Sequence, residues 1–425
     1  MASIRKRGSS YQIIVSLGRD MSGRKLSEST TWTPDESRTA KQNEKALADF
    51  AYDFEKAVRS GKYLSGEKMT YAEFIGLWRS EYAEKQLEAT TIERSDIAFK
   101  TILPAIGHIK LAALLPLHIQ TLYSTLQKGG YSINGKHKTY SNNTIKRIHA
   151  VISGTLNIAV MWGLIDSNPC NRVKPPKVQK NPTNIRHFTV DEVKTFLGYL
   201  DKDYSVTYRG KARKDGNPPG ECIEFHTVPT QLKTFYNLAI FGGFRRGELI
   251  ALKWSDIDFL KCSVSVTKST ARVKGSQITK QPKTKSSCRV VSLPPSVMAL
   301  LKRHKTEQQE LRLMMGSAWQ GEDWLFIQAD GKQMDISTPN HAFKKIINRY
   351  NATTDGELLP VISIHGLRHT SATLAIASNM DVKSVSARLG HSETSTTLDI
   401  YAHALKEMDV KIANVLEDVL LTKKA

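Results

Sequence analysis

The alternation of apolar and polar residues predicts a small β-structure at the start of the chain. Residues 2–33 contain short runs of β-forming residues separated by glycine-containing turns, which favours a three-stranded sheet. A helix is expected to begin at residues 34–36, with acidic residues in its first turn. Its apolar residues recur at every fourth position, at Ala46, Phe50, Phe54 and Val58. A sheet this small needs such a helix packed against it.

The pattern changes to helical periodicity over residues 69–169. Four amphipathic helices are expected, and helices of this length form a compact bundle. The apolar positions that define them are Phe74, Leu77, Trp78, Tyr82, Ile97, Phe99, Ile102, Ile119, Leu122, Tyr123, Leu126, Ile145, Ile148, Ile152, Leu156 and Ala159. Pro104 is expected to end the second helix. The segment 128–143, between the last two helices, is polar and basic.

Residues 171–186 read NRVKPPKVQKNPTNIR, with five cations, no anions and three prolines. Prolines stiffen such a segment and oppose helix formation, so it is interpreted as a linker between domains. Its charge suggests that it follows DNA phosphates.

Helical and strand patterns are mixed from Phe188 onward. Helices are expected to begin at Thr189, Gln231, Ser296 and Thr338. Strands are expected at 263–267 and 289–293, with residues 277–281 as a third strand between them. Residues 201–227 are hydrophilic and contain Gly and Pro, which indicates an exposed insertion.

These patterns predict a multidomain, mainly α fold. A chain of 425 residues exceeds one ordinary hydrophobic core, so two or three domains are expected. The predicted parts are a three-stranded β-sheet with a helix, a helical bundle, a basic linker, and a mixed, mostly α domain with a small antiparallel sheet. Their predicted boundaries are 1–64, 65–170, 171–186 and 187–425.

The net charge of the chain indicates what kind of partner it binds. Lys and Arg number 61 against 41 Asp and Glu, which gives a net charge of +20 and a pI near 9.6. Such a surplus indicates a polyanionic partner, of which nucleic acid is the commonest. A basic surface that is merely solvated is the alternative. The cations predicted to contact DNA are Arg5, Lys6, Arg7, Lys136, Lys138, Lys174, Lys177, Lys180 and Lys285.

Cysteine spacing and hydropathy indicate the cellular compartment in which the protein is expected. The four cysteines show no C-x-x-C spacing, which argues against a zinc site and against a disulfide framework. Apolar runs of about 18 residues and a signal-peptide core are absent from the sequence, so a cytoplasmic protein without a membrane partner is expected.

The stretch 361–403 carries the candidate chemistry. His365 and Arg368 lie three residues apart where a helical pattern begins, so both project from one helix face. His391 and Tyr401 follow. A guanidinium holds two oxygens of one phosphate, and a tyrosine with a free pKa of about 10 becomes a nucleophile beside cations and a base. Any one of these residues alone is more often packed or solvated than catalytic.

A zinc interpretation of the same stretch is weaker. His365 and His369 have the i, i+4 spacing of a metalloprotease helix. The Glu expected after the first His is missing, and Arg368 places a fixed cation where the metal would bind. No metal is therefore predicted.

Two further segments supply cations earlier in the chain. GFRRGELIALKWSDID places Arg245 and Glu248 at i, i+3, so that the carboxylate can hold the guanidinium in one rotamer. An ordinary surface ion pair is the alternative and would contribute little. Residues 261–290 carry eight cations and no anions, and the turn PKTKSS presents Lys283 and Lys285. Most lysines in such a run only neutralise phosphates.

Taken in order, these motifs resemble those of the tyrosine recombinase (phage integrase) family, including integrases of conjugative transposons and temperate phages. The motifs are GFRRGELIALKWSDID, PKTKSSCRVVSLP, HGLRHT, LGH and TTLDIYAH, and the resemblance covers residues 66–425. Residues 1–64 resemble the arm-site DNA-binding domain of such integrases. The resemblance implies a core-site-binding bundle at 65–170 and a catalytic domain at 187–425.

The resemblance also implies a mechanism without a cofactor. Tyr401 would attack the scissile phosphate to give a 3′-phosphotyrosine, while Arg245 and Arg368 hold its oxygens. Roles for the remaining site residues follow: Lys283 as acid to the leaving 5′-oxygen, His365 as base, His391 on the phosphate and Glu248 supporting Arg245. The expected partners are double-stranded DNA at core and arm sites, three further copies in a tetramer, and an accessory bending or directionality protein.

Two alternatives stay open at this stage. A type IB topoisomerase-like protein would use the same chemistry to relax supercoils without exchanging partners. A DNA-binding regulator with a decayed site would bind without cleavage.

Overall fold

The computed structural model describes residues 2–19, 23–59, 69–129, 132–133, 136–137, 139–178, 186–209, 221–281 and 288–390. The chain forms two compact units, Met1–Lys180 and Asn181–Ala425. The division between them falls inside the predicted linker. The finer division of the chain into four parts stays a prediction.

The first unit begins with the predicted antiparallel sheet. Its strands are β1 (Ser3–Arg7), β2 (Ser10–Arg19) and β3 (Lys25–Trp32), with β2 in the centre. Ile13 and Val15 of β2 are buried against helix α1 (Ala40–Arg59). Since side chains alternate along a strand, the register of β1 and β2 gives the sheet one helix-covered face and one open face.

Helix α1 begins later than predicted. Thr39 and Gln42 form the N-terminal cap, because each side chain bonds the backbone N–H of the other at 3.4 and 2.9 Å. Asp35 instead accepts hydrogen bonds from Ser37 in a turn. The predicted apolar stripe is wrong at Phe50, which is 38% exposed. The helix buries Leu47, Ala51, Phe54 and Val58.

The predicted four-helix bundle is confirmed. Its elements are α2 (Tyr71–Trp78), which continues through a π-helical turn (Arg79–Ala83) into α3 (Glu84–Gln86), then α4 (Ala89–Ile106), α5 (Pro116–Lys128), a hairpin of β4 (Ser132–Ile133) and β5 (Lys136–His137), and α6 (Asn142–Met161). Inside the bundle the Tyr71 hydroxyl bonds the Thr155 hydroxyl at 2.8 Å.

Two details of α4 differ from the prediction. Pro104 lies inside α4, which continues to Ile106 rather than breaking. Burial of Ile102 and Ile106 in the bundle core outweighs the one backbone bond that proline removes. Ile97 is 61% exposed, so it does not share the buried face of Phe99.

The beginning of the predicted linker packs on the bundle. Pro169–Arg172 forms a 3₁₀ turn, and Val173 is buried in the bundle core. Asn142 donates its side-chain amide to the Lys177 carbonyl at 2.9 Å. Lys174 and Lys177 themselves are exposed.

The second unit contains the predicted helices and further strands. Its elements are α7 (Val190–Leu200), β6 (Tyr204–Arg209), β7 (Glu221–His226), α8 (Thr230–Gly242), α9 (Arg246–Ile250), β8 (Ile257–Asp258), β9 (Ser263–Val266), β10 (Ser269–Val273), β11 (Ser276–Lys280), β12 (Arg289–Ser292), α10 (Pro295–Met315), α11 (Thr338–Thr353), α12 (Ile364–Ala377) and α13 (Val382–Leu389). Within the described residues, no helix is long and apolar enough to span a membrane.

The strand pairing differs from the prediction in one place. Strands β8, β9 and β12 form an antiparallel sheet with β9 in the centre, whereas β10 and β11 pair as a separate hairpin. The expected strand at 277–281 therefore forms but does not join the predicted sheet. The predicted insertion, 201–227, contains the antiparallel pair β6 and β7.

Aromatic rings form the centre of the second unit. Phe343 of α11 lies 5.2 Å from Phe196 and 5.5 Å from Tyr236, measured between ring centroids. Phe188 contacts the same group. These rings fix α7, α8 and α11 together, and such contacts stabilise a core beyond the area that they bury.

Replacing Phe343 with Ala should lower the free energy of unfolding of the second unit by about 3–5 kcal/mol, because the lost ring leaves a cavity. Calorimetry of the full chain measures the shift. The control is Leu313→Ala, at a residue 82% exposed in the same unit, with an expected change of about 0.5 kcal/mol or less. Equal effects of the two substitutions would contradict this packing.

Candidate active site

Helix α12 places two of the predicted site residues in its first turns. The Ser363 hydroxyl caps this helix by accepting from the Gly366 N–H at 3.2 Å. His365 follows immediately and is exposed, whereas Arg368, one turn later, is only 1% exposed. The pair therefore presents an accessible imidazole above a buried guanidinium.

Arg368 joins the ends of two helices. Its Nη1 donates to the Gly243 carbonyl and its Nη2 to the Leu389 carbonyl, both at 2.7 Å. Gly243 caps α8 with a left-handed φ of +63°, and a Cβ there would lie 2.6 Å from the Leu389 side chain. Glycine at this position thus permits the close approach that Arg368 bridges.

Arg245 lies at the start of α9, where Glu248 holds it. The Glu248 carboxylate accepts from the Arg245 backbone N–H at 2.8 Å and from its Nη1 at 2.9 Å. The Arg245 Nη2 donates to the Gly390 carbonyl at 2.9 Å. The predicted support of Arg245 by Glu248 is therefore present. With 37% of its side chain exposed, Arg245 remains accessible to a ligand.

A third arginine, not predicted from the sequence, completes the cluster. Arg289 opens β12 and donates to both Glu248 carboxylate oxygens, at 3.2 and 2.8 Å. The side chains of Glu248 and Arg289 are 4% and 7% exposed. The pair is thus buried, unlike the surface ion pair considered above. Only its place at the end of a basic run of the sequence could have suggested it.

Glu248 is ionised between these guanidinium groups. Burial by itself raises the pKa of Glu248, but the hydrogen bonds and charge of Arg289, with those of Arg245, outweigh it. The net pKa is below the ordinary value of 4.5. One buried carboxylate therefore serves two cations.

The C-terminal end of α13 is bound by all three arginines. Three successive carbonyls accept a guanidinium N–H at 2.7–2.9 Å: Arg388 from Arg289, Leu389 from Arg368, and Gly390 from Arg245. Cations are favoured here because the last carbonyls of a helix lack intrahelical partners and carry partial negative charge. The cluster thereby fixes the residue immediately before His391.

Gly390 is required by this packing. Its φ of +67° is left-handed, and a Cβ there would lie 3.0 Å from the Arg289 Nη1. The glycine of the LGH motif therefore both ends α13 and makes room for the guanidinium.

His365 is biased toward its neutral form. Desolvation lowers its pKa below 6.5, and the charges of Arg368 and then Arg245 lower it further. Its ring packs edge-on against His369, with 4.6 Å between centroids. A neutral imidazole near pH 7 can accept a proton.

The zinc interpretation concerns His365 and His369, which both lie on α12. Among the described residues, no group of three or more His, Cys, Asp or Glu side chains is arranged to bind a metal ion. The cation nearest in sequence to the two histidines is Arg368, which donates to backbone carbonyls at the ends of α8 and α13.

Only some of the other predicted site residues lie within the described part of the chain. Those outside the described residues are Lys138, Lys180, Lys283, Lys285, His391 and Tyr401. Lys136 belongs to β5. Arg5, Lys6 and Arg7 are exposed in β1. The pairing of Lys6 with Tyr11, which packs toward α1, places Lys6 on the helix side of the sheet, while Arg5 and Arg7 lie on the open face.

Two comparisons with protein families cover most of the second unit and part of the bundle. Residues 221–408 match the phage integrase family, and residues 70–127 match the phage integrase N-terminal SAM-like domain. The chain belongs to the phage integrase family. It is a tyrosine recombinase, an enzyme that breaks and rejoins DNA.

Curated relatives support membership of the phage integrase family along the chain. A tyrosine recombinase XerC-like protein of Caldanaerobacter subterraneus is 26% identical over 97% of this chain and 96% of its own length. The ICEBs1 integrase of Bacillus subtilis is 28% identical over 66% of this chain and 67% of its own length.

Solved structures show the same fold as this phage integrase family member. Residues 82–397 of the Tn1549 transposon integrase, in complex with transposon right end DNA, align with a TM-score of 0.61 at 17% identity. This alignment covers 83% of the present chain and all of the other. A λ integrase dimer bound to a COC' core site aligns with a TM-score of 0.51 at 15% identity, covering 94% of each chain.

Replacing Glu248 with Gln should destabilise the second unit by about 3–5 kcal/mol at neutral pH, because two buried guanidinium groups lose their counter-charge. The folded pKa of Glu248 is lowered, so its contribution is full above pH 4.5 and disappears as the pH falls through that lowered pKa. Unfolding measured from pH 7 to pH 3 should therefore show the two proteins converging.

The matched control for this substitution is Glu307→Gln. Glu307 also accepts from an arginine, Arg303, but its side chain is 42% exposed. A loss of at most about 1 kcal/mol is expected there. If the two Gln variants were equally stable at pH 7, the Glu248 carboxylate would not be a buried counter-ion.

Proposed function

We propose that this tyrosine recombinase is the site-specific integrase and excisionase of a mobile DNA element. It cleaves and rejoins DNA through a 3′-phosphotyrosine on Tyr401. The observation that carries the proposal is the convergence of Arg245 and Arg368 on the end of α13, immediately before His391, with His365 close enough to both for their charges to lower its pKa.

The arginine cluster suits a phosphodiester in its transition state. In this proposal Arg245, the exposed member, binds a non-bridging oxygen, and Arg368 supplies charge from beneath it. Both guanidinium groups are fixed by backbone carbonyls before DNA arrives. Donors held in place in this way cost no reorganisation when negative charge develops on the phosphate.

The bond changes follow from the residue types. The Tyr401 hydroxyl oxygen attacks phosphorus and the bond from phosphorus to the 5′-oxygen breaks. His365, neutral because its pKa is lowered, takes the tyrosine proton, and Lys283 gives a proton to the leaving 5′-oxygen. His391 binds the phosphate. Attack by a 5′-hydroxyl of another strand reverses these steps and restores the tyrosine.

The proposed assembly follows from strand exchange. Two duplexes present four scissile phosphates, so four copies act together on DNA. The helical bundle and the basic residues 174–180 bind the core site, and the N-terminal sheet binds an arm site. The protein works in the bacterial cytoplasm, on the nucleoid, with an accessory bending or directionality protein.

The decisive experiment is a covalent-adduct assay. Purified protein is incubated in EDTA with nicked duplexes that carry the ends of the element encoding it, and denaturing gels detect a protein–DNA adduct. Wild type should form the adduct and Tyr401→Phe should not. Arg245→Lys should slow its formation about 100- to 1,000-fold, because an ammonium lacks the planar fork that binds phosphate.

Each other result of this assay has a definite meaning. DNA binding without an adduct would favour a catalytically inactive regulator. An adduct that persists in Tyr401→Phe would show that another residue is the nucleophile. Relaxation of plasmids without exchange between duplexes would favour the topoisomerase-like alternative.

The open face of the N-terminal sheet should bind arm-site DNA. Arg5→Ala and Arg7→Ala should each weaken binding and reduce the slope of log affinity against log salt by about 1, because each removes one phosphate contact. Lys6 was predicted from the sequence to contact DNA with Arg5 and Arg7, but its pairing with Tyr11 puts it on the helix side of the strand, so this proposal removes it from the DNA contacts. Lys6→Ala is therefore the matched control and should leave the slope unchanged. An equal loss from all three substitutions would contradict the assignment of the faces.

A further inference from the structure

Arg289 is placed as a connector rather than as a surface cation. It is the first residue of β12 and pairs with Val266 in the centre of the sheet. Its side chain is 7% exposed, and its guanidinium carbon lies 5.8 Å from the centroid of the Phe244 ring. A charge this enclosed cannot lie along a DNA backbone as the exposed lysines do.

Hydrogen bonds join Arg289 to both α9 and the end of α13. Nη1 and Nη2 donate to the Glu248 carboxylate on α9, and Nε donates to the Arg388 carbonyl at 2.7 Å at the end of α13. Glu248 in turn holds Arg245. The guanidinium therefore links the support of Arg245 to the last turn before His391.

We propose that Arg289 is a positioning residue of the recombinase, which orients Arg245 through Glu248 and fixes the end of α13 from which the chain continues to His391. This rests on the proposed function of the cluster. Arg289 does not touch the reacting phosphate. It sets the places of two groups that do.

The energetics favour positioning over stability as the role of this pair. A buried ion pair can often be replaced by apolar residues of similar volume at no cost in stability, since desolvation offsets the Coulomb attraction. The planar fork of arginine, in contrast, gives direction to three N–H donors at once. Lysine keeps the charge but cannot place donors on Glu248 and on the Arg388 carbonyl in this geometry.

The test compares Arg289→Lys and Arg289→Met in the full chain. Single-turnover adduct formation on nicked duplexes should fall about 100-fold, the usual cost of a misplacement near 1 Å. DNA affinity and its salt dependence should stay at the wild-type values, because the side chain is enclosed. Arg303→Met, which breaks an exposed ion pair with Glu307 on α10, is the matched control and should cleave at the wild-type rate.

A pH profile separates positioning from a general loss of folding. Among the described residues, the charged groups that act on Glu248 are Arg245, the N-cap of α9, and Arg289 on β12. The groups whose charges couple to these two arginines or to each other are His365 and Arg368 on α12 and Arg388 on α13. Without Arg289, burial raises the pKa of Glu248 with less to oppose it. Cleavage by Arg289→Met should therefore fall further than that of wild type as the pH decreases.

A double-mutant cycle with Glu248→Gln provides the second measurement, at a temperature where melting curves show every variant folded. If Arg289 acts through Glu248, the rate losses of Arg289→Lys and Glu248→Gln should be strongly non-additive. Wild-type cleavage by Arg289→Lys, additive losses, or a loss explained entirely by weaker DNA binding would overturn the positioning role. Absence of an adduct with wild-type protein would overturn the proposed function itself, and this role with it.

Discussion

The buried carboxylate of Glu248 is the contact on which the site depends. Three arginines surround the end of α13, and their mutual repulsion in a low-dielectric interior opposes folding of this region. Glu248 offsets part of that repulsion by accepting from Arg245 and Arg289 together. Partial negative charge on three successive carbonyls of α13 offsets more. Glu248 and the end of α13 thus supply the negative and partial negative charge that these three arginines meet.

The uneven balance of charge explains what the cluster is suited to bind. A site whose cations were all paired with carboxylates would have little attraction left for an anion. Here two of the three guanidinium groups, those of Arg245 and Arg289, share one carboxylate, and Arg368 donates to two backbone carbonyls. The net positive potential that remains is stored in a fixed geometry. A phosphate that enters it gains the attraction without first rearranging the protein.

The sequence predicted which residues belong to the arginine cluster better than it predicted the contacts that they make in the fold. Spacing and residue type indicated Arg245, Glu248, His365 and Arg368, because i, i+3 pairs on a helix are local. The hydrogen bond from Arg245 to the end of α13 joins residues more than a hundred positions apart, so no local pattern encodes it. Arg289 was missed for the same reason. In the fold, the longer helices were predicted, whereas the short helices α9 and α13 were not. The start of α1 and the pairing of β11 depended on a cap and on partners in space.

Arg245 and Arg368 are expected to act differently because they differ in solvent exposure. Arg245 is reachable from solvent, so it meets a phosphate directly, but water screens its charge. Arg368 is enclosed, so its field acts through protein rather than water and is felt at longer range. The pKa of His365 reflects this order, because Arg368 depresses it more than Arg245 does. Desolvation of His365 itself is the main cause of its lowered pKa, and the fixed charge of Arg368 lowers that pKa further before DNA binds.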